Sequence, residues 1–158
     1  MQDKHFILTS AHHYGFTVNN LKDSVNFYCN TLGFQKIIEV SASGKEMEDL
    51  TGVEKASLKA VLLKFPEGEH YNMPVIELLE YVEPKGKAFD RSNNDVGNAH
   101  IALVVDNIDE AYSELLKKQV HFTCKPFLVS QGPLTGMKIT YLTDPDGITI
   151  EMMGSAKP

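Results

Sequence analysis

The chain has 158 residues, a formal net charge of −6, and 42% hydrophobic against 23% charged residues, which suits one ordinary soluble domain or two small halves that share a core. The acidic balance argues against nucleic acid, which favours a basic surface, and with Arg91 as its one guanidinium the chain holds no arginine cluster for phosphates. No apolar run approaches the roughly 20 residues that cross a bilayer, the opening MQDKHFILTS is too short in apolar residues for a signal peptide, and Cys29 and Cys124 lie far apart without CxxC spacing, so a cytoplasmic protein with reduced thiols is expected.

In chain order, HYGFTV (13–18) reads as a strand. Leu21, Val25 and Tyr28 then follow helical spacing, with Asn19 at the turn or capping position and Gly33 as the C-terminal breaker. FQKIIEV, LKAVLLKF and PVIELLEY read as strands, separated after the first by SASGKEMEDLTGVEKAS, which has helix formers and no strand alternation and predicts a short helix or a mobile flap. The polar, turn-rich stretch at about 83–96 reads as a linker. The second half opens on HIALVV (100–105), a strand, followed by the helical spacing of Ile108, Ala111, Tyr112 and Leu115 behind Asp106 as the cap. VHFTCKPF, MKITYLTD and ITIEMM supply its strands, with the DPDG turn at 144–147 before the last.

The two halves are therefore one pattern written twice, β-α-β-β-β, at about 8–82 and 97–154. HYGFTVNNLKDSVNFYCNTLGF (13–34) aligns without a gap on HIALVVDNIDEAYSELLKKQVH (100–121), so that His13 falls on His100 and Val18 on Val105. Each half also places a glutamate in its last strand: Glu77, 64 residues after His13, and Glu151, 51 residues after His100. The 13-residue excess in the first half corresponds to the helix-forming insertion. Neither half has enough apolar material to stand comfortably alone, so a single domain is expected over 1–158.

Strand side chains alternate between faces. His13, Gly15 and Thr17 share one face, opposite Tyr14, Phe16 and Val18. His100, Ala102 and Val104 likewise lie opposite Ile101, Leu103 and Val105. The bulkier sets belong under the helices. A sheet with helices on one side would then carry His13, Glu77, His100 and Glu151 on its other, concave side. Two carboxylates in an apolar trough repel and lose hydration, and no lysine or arginine lies in those strand cores to neutralise them. A divalent cation held by two imidazole nitrogens and two carboxylates resolves the conflict. One such pair would be unremarkable in a sheet; two at repeat-equivalent positions point to metal. His12 points away from His13 if the strand is regular, His5 and His70 sit in polar surroundings, and His121 aligns with Phe34. Met152 and Met153 read as packing, KEMED as a solvated face, and QGPLTG as a loop whose glycines would suit a lid.

With HHYGFTVNNLKDSVNFYCNTLGF, VIELLEY, AHIALVVDNIDEAYSELLKKQV and YLTDPDGITIEMM in place, the chain resembles the vicinal oxygen chelate superfamily, which includes glyoxalase I, methylmalonyl-CoA epimerase, extradiol dioxygenases and bleomycin-resistance proteins. The resemblance implies an α+β fold of two βαβββ modules whose curved mixed sheets surround a metal site. It implies His13, Glu77, His100 and Glu151 as ligands of Ni, Co, Zn, Mn or Fe, and a small oxygenated substrate. The complete His-Glu-His-Glu set looks most like glyoxalase I. Epimerases commonly have glutamine at the position of Glu77, extradiol dioxygenases lack a carboxylate there, and bleomycin-binding proteins lack the set. Two features depart from glyoxalase I: the insertion, and a single arginine where glutathione's carboxylates favour cations, leaving Lys59, Lys64, Lys125 and Lys138 as substitutes. The implied chemistry is proton transfer next to a carbonyl through an enolate or enediolate, of lyase or isomerase type, with Glu151 as leading base and Glu77 as second. The alternatives are an extradiol-type Fe(II) dioxygenase and a non-catalytic metal-dependent binding protein. The resemblance further implies a homodimer, with modules paired within a chain or exchanged between two.

Overall fold

The computed structural model describes residues 9–66, 75–88 and 92–155. His5, His70 and Arg91 lie outside them. The first half comprises β1 (Tyr14–Thr17), α1 (Leu21–Asn26) continued by a π-helical turn (Phe27–Thr31), β2 (Gln35–Ser43), α2 (Lys45–Thr51), β3 (Ser57–Lys64) and β4 (Ile76–Glu83). The second comprises β5 (His100–Val105), α3 (Ile108–Lys117), β6 (Phe127–Leu128), β7 (Met137–Thr143) and β8 (Thr149–Ser155). The strands form two four-stranded sheets, ordered β1-β4-β3-β2 and β5-β8-β7-β6. In each, the first strand pairs in parallel with the last and the remaining pairs are antiparallel. The α+β fold of two βαβββ modules is thus what the chain adopts. Among the described residues no helix is long and apolar enough to cross a membrane.

Local chemistry explains the boundaries. Helices α1 and α3 start on an asparagine whose side chain accepts backbone N–H groups of the first turn: Asn20 from Lys22 and Asp23, and Asn107 from Glu110. The caps therefore sit one residue beyond Asn19 and Asp106, because the strand turns out fully before the helix begins. The π-turn ends the first helix at Leu32, and Gly33 follows at φ +86°, a left-handed conformation that glycine adopts without a Cβ penalty. The insertion is a short helix, α2, stopped by Gly52 at φ +69°. VHFTCKPF is not a strand: only Phe127–Leu128 pair with β7, together with one isolated bridge from Phe122 to Leu142. Its backbone instead spends Thr123 N–H and the Thr123 hydroxyl on Tyr141 O, which pulls the segment across the sheet edge.

The helices cover one face of each sheet. Val18, Leu21, Tyr28, Ile76 and Leu78 from the first half join Ile101, Leu103, Ile108, Leu142 and Ile150 from the second in one apolar cluster. The expected split of faces holds: Ile101 and Leu103 are buried while Ala102 and Val104 are exposed. Gly154 is required where β8 meets β5, since a Cβ there would stand 2.7 Å from the Val105 carbonyl oxygen. Polar contacts join the halves around the DPDG turn. The buried Tyr28 hydroxyl donates to Asp144 at 3.2 Å, the Ser24 hydroxyl and the Asn19 N–H both donate to Asp146, and Lys118 reaches the carbonyl of Asn30.

Candidate functional site

Each module builds the same pair by the same register. Gly15, two residues after His13, stands opposite Glu77 in the parallel β1–β4 pair; Ala102, two residues after His100, stands opposite Glu151 in β5–β8. The result is His13 Nε2 at 3.0 Å from Glu77 Oε2, and His100 Nε2 at 3.1 Å from Glu151 Oε2. Both pairs lie on the sheet face away from the helices, as the alternation requires. Small neighbours keep that face open beside them, and a Cβ added at Gly15 would come within 3.7 Å of Glu77 Oε2.

The four residues do not converge within one chain. Among the described residues no group of three or more His, Cys, Asp or Glu side chains is placed to hold a metal ion. The chain also leaves both imidazoles accessible: the side chains of His13 and His100 are 32% and 45% exposed, and only the Glu151 side chain, at 11%, is well covered. The expected single trough fails for a topological reason. The helices and the inter-module contacts occupy the backs and ends of the sheets, so the two open faces belong to separate sheets of one chain.

Each pair nonetheless fits half of a cation site. Ligands about 2.1 Å from a divalent cation and at right angles to each other stand about 3.0 Å apart, which matches both pairs, and the donor set of imidazole nitrogen and carboxylate oxygen suits a first-row metal. His12 contributes from outside. It precedes β1, so the chain is not yet regular strand there, and its ring turns back to place Nδ1 at 2.7 Å from His13 Nδ1. One ring donates to the other, which holds the His13 ring with Nε2 toward Glu77. The second pair is supported differently. Tyr141 lies opposite Glu151 across β7–β8, and its ring centroid is 5.5 Å from that of His100. Partial burial, aided by the Glu151 carboxylate, pushes the Tyr141 phenol above its ordinary value.

Tyr141 escaped the sequence reading, although carrying the repeat alignment through the third strand of each module would have shown it against Leu62. Other residues prove to be occupied elsewhere. Lys138 pairs with Asp109 at 2.6 Å, and Cys29 and Cys124 are free thiols. Beside β1, a cleft of about 450 Å³ is lined by Gly15, Thr17, Tyr81, Lys85 and Asp146 among others. Phe16 and Val18 line it as well, and none of His13, Glu77, His100 and Glu151 does.

Comparison with known proteins agrees with this architecture. The family model of the Glyoxalase/Bleomycin resistance protein/Dioxygenase superfamily matches residues 10–152. The chain is 28% identical over 149 residues to a 2-epi-5-epi-valiolone epimerase from Actinomyces, covering 91% of this chain and 78% of the relative. A glyoxalase family protein from Bacillus cereus shares the fold with a TM-score of 0.79 at 18% identity, over 97% of this chain and 98% of the other. The trypanothione-dependent glyoxalase I of Leishmania major does so with a TM-score of 0.64 at 19% identity, over 93% and 87%. With twin βαβββ modules, repeat-equivalent His–Glu pairs and a family match across nearly its whole length, the chain belongs to the Glyoxalase/Bleomycin resistance protein/Dioxygenase superfamily.

Proposed function

We propose that this protein is a divalent-metal-dependent isomerase of the epimerase kind, which moves a proton on a carbon next to a carbonyl. The observation that carries this reading is the duplicated His–Glu pair, set by one register in both modules and spaced as neighbouring ligands of one cation. Because one chain holds the halves apart, the complete site needs two copies: His13 and Glu77 from one, His100 and Glu151 from the other. The open faces suit that assembly. Ile38 and Val40 lie in the rows of the Glu77 face, and Val104 and Phe127 lie on the Glu151 face, all four exposed in the single chain. Covering such side chains favours association by about 25 cal/mol per Å², and a two-fold axis would complete two sites at once.

A bound cation would supply positive charge to the substrate oxygen that becomes an oxyanion. The rest falls to the chain. A carboxylate takes the proton from carbon while the C–H electron pair moves into the carbonyl system to give an enolate; returning a proton to the opposite face inverts the centre. Glu151, the better covered of the two, suits abstraction, and Glu77, brought by the other copy, suits return. The epimerase relative supports this choice within the lyase or isomerase class. So does the composition, since the chain has a single arginine and a thiol-peptide substrate with several carboxylates would call for more cations.

The test is elemental analysis of purified protein beside the Glu77→Ala and His100→Ala variants, followed by incubation of hydroxy ketones with the metal-loaded protein in deuterium oxide. About one transition metal per chain, lost in both variants, with deuterium entering at the carbon next to the carbonyl, is the expected outcome. Protein that stays metal-free after exposure to Ni, Co, Zn, Mn and Fe(II) overturns it.

A further inference from the structure

Beside Glu77 the open face of the first module is largely hydrocarbon, with Ile38, Leu62, Val40 and Leu79 in adjoining rows. Among the described strands four lysines occur: Lys36, Lys59, Lys64 and Lys138. Lys36 is joined to Glu39 at 2.7 Å, and the two stand opposite the core residues Leu63 and Val61. Lys59 lies opposite Glu80, whose carboxylate accepts the Leu21 N–H at the start of α1. Lys138 meets Asp109 of α3. These three belong to the helix-bearing sides of the sheets. Lys64 differs. It comes two residues after Leu62, which stands opposite Glu77, so alternation puts it on the Glu77 face. Leu63 stands opposite Ile76, and Ile76 opposite Tyr14. Lys64 and His13 each lie one step beyond that row, at one level of the sheet and two strand spacings apart, about 10 Å. Lys64 is half-buried, and beside it the bulge of β2 at Ile37 opens a depression of about 460 Å³ that Gln35 and Lys36 also line.

We infer that Lys64 is a specificity-determining residue that binds an acidic group of the substrate, a carboxylate or a phosphate, carried a few bonds from the carbon that exchanges its proton. Position carries the argument: the ammonium, on a flexible four-carbon stem, shares the face of Glu77 and the level of His13. The apolar neighbours strengthen its attraction for an anion, because charges interact more strongly at low effective dielectric than in water. In the second module Thr143 takes the equivalent place, in one row with Thr149 and His100. A site built from both modules therefore has this cation on one side only, and an acidic substrate binds with its acidic end on the His13 side. One lysine suits one anionic group, in keeping with the single arginine of the chain. This inference rests on the metal-dependent reading above.

The test is calorimetric titration of cobalt(II)-loaded protein with two matched pairs of ketones, dihydroxyacetone against its phosphate and methyl levulinate against levulinate. Wild type should bind the acidic member of at least one pair about tenfold more tightly, as expected for one hydrogen bond between charged groups. The pair that shows the preference identifies phosphate or carboxylate as the group selected. Lys64→Met keeps the stem and removes the charge. It should take up as much cobalt and bind the neutral ketones like wild type, yet lose the preference, whereas Lys64→Arg should keep it. Lys36→Met should leave the preference intact; an equal loss there would make the effect one of general surface charge and overturn the inference. So would wild-type affinities within about twofold inside both pairs, or a preference that survives Lys64→Met, and each of these results leaves the metal site standing. Wild-type protein that takes up no cobalt overturns the metal reading, and this inference with it.

Discussion

Tyr28 of the first module gives its hydroxyl hydrogen to Asp144 of the second across 3.2 Å, and both residues are buried. The contact joins the two repeats at the turn that launches β8, and so sits behind Glu151. Asp144 Oδ1 accepts from the N–H groups of Asp146 and Ile148, while Oδ2 receives Tyr28. Removing the phenolic hydroxyl leaves a buried carboxylate oxygen short of a donor, a loss of about 1–3 kcal/mol. Tyr28→Phe should lower the denaturant midpoint accordingly without changing metal content, read by urea unfolding and elemental analysis in parallel.

The same carboxylate makes stability depend on pH with a defined sign. Burial pushes Asp144 above the ordinary carboxylate range, partly offset by the two backbone donors. A raised carboxyl contributes most to stability below its unfolded value of about 3.9, and that contribution is lost as pH rises through the higher folded value. Asp144→Asn carries no proton to lose. Its unfolding free energy, compared with wild type by urea titration at a series of pH values, should gain on wild type as pH climbs from about 4 toward neutrality. A gap that does not change with pH would show that Asp144 is as easily ionised folded as unfolded.

The proposed assembly of each site from two copies makes a complementation experiment decisive. A His13→Ala chain lacks the first half-site and a His100→Ala chain the second, so neither homodimer should hold metal tightly. In a mixed dimer both defects fall in one site and the other is intact, so refolding an equal mixture should restore about a quarter of the wild-type metal. No recovery on mixing would place both halves of each site in one chain and contradict the separation of the pairs.

His12 supports the first pair alone. Its Nδ1 holds His13 Nδ1 at 2.7 Å, and partners of this kind orient metal-ligating imidazoles, with losses of about 10–100-fold in affinity when removed. His12→Leu should therefore weaken zinc binding by at least about tenfold, measured by competition with a chromophoric chelator, while the secondary structure seen by circular dichroism stays unchanged. Unchanged affinity would reduce His12 to a surface neighbour.

Much of this protein was legible in the chain itself. The ungapped match of residues 13–34 on 100–121 and the alternation around His13, His100, Glu77 and Glu151 specified twin βαβββ modules and the face on which each ligand candidate lies, because strand period and helix period are local properties of a sequence. The insertion read correctly as helix former. Where local cues compete, the reading slipped: VHFTCKPF has strand composition, but its backbone bonds to β7 at the sheet edge without becoming a strand of its own. His12 looked averted from His13 only because regular strand geometry was extended one turn too early. What tertiary structure alone decided is how the two repeats sit. Tyr28, Asp144, Asp146 and the shared core lock the modules through their helical backs and turns, which separates the His–Glu pairs and leaves both faces open. Periodicity places a side chain on a face, but only packing between distant segments determines which faces meet.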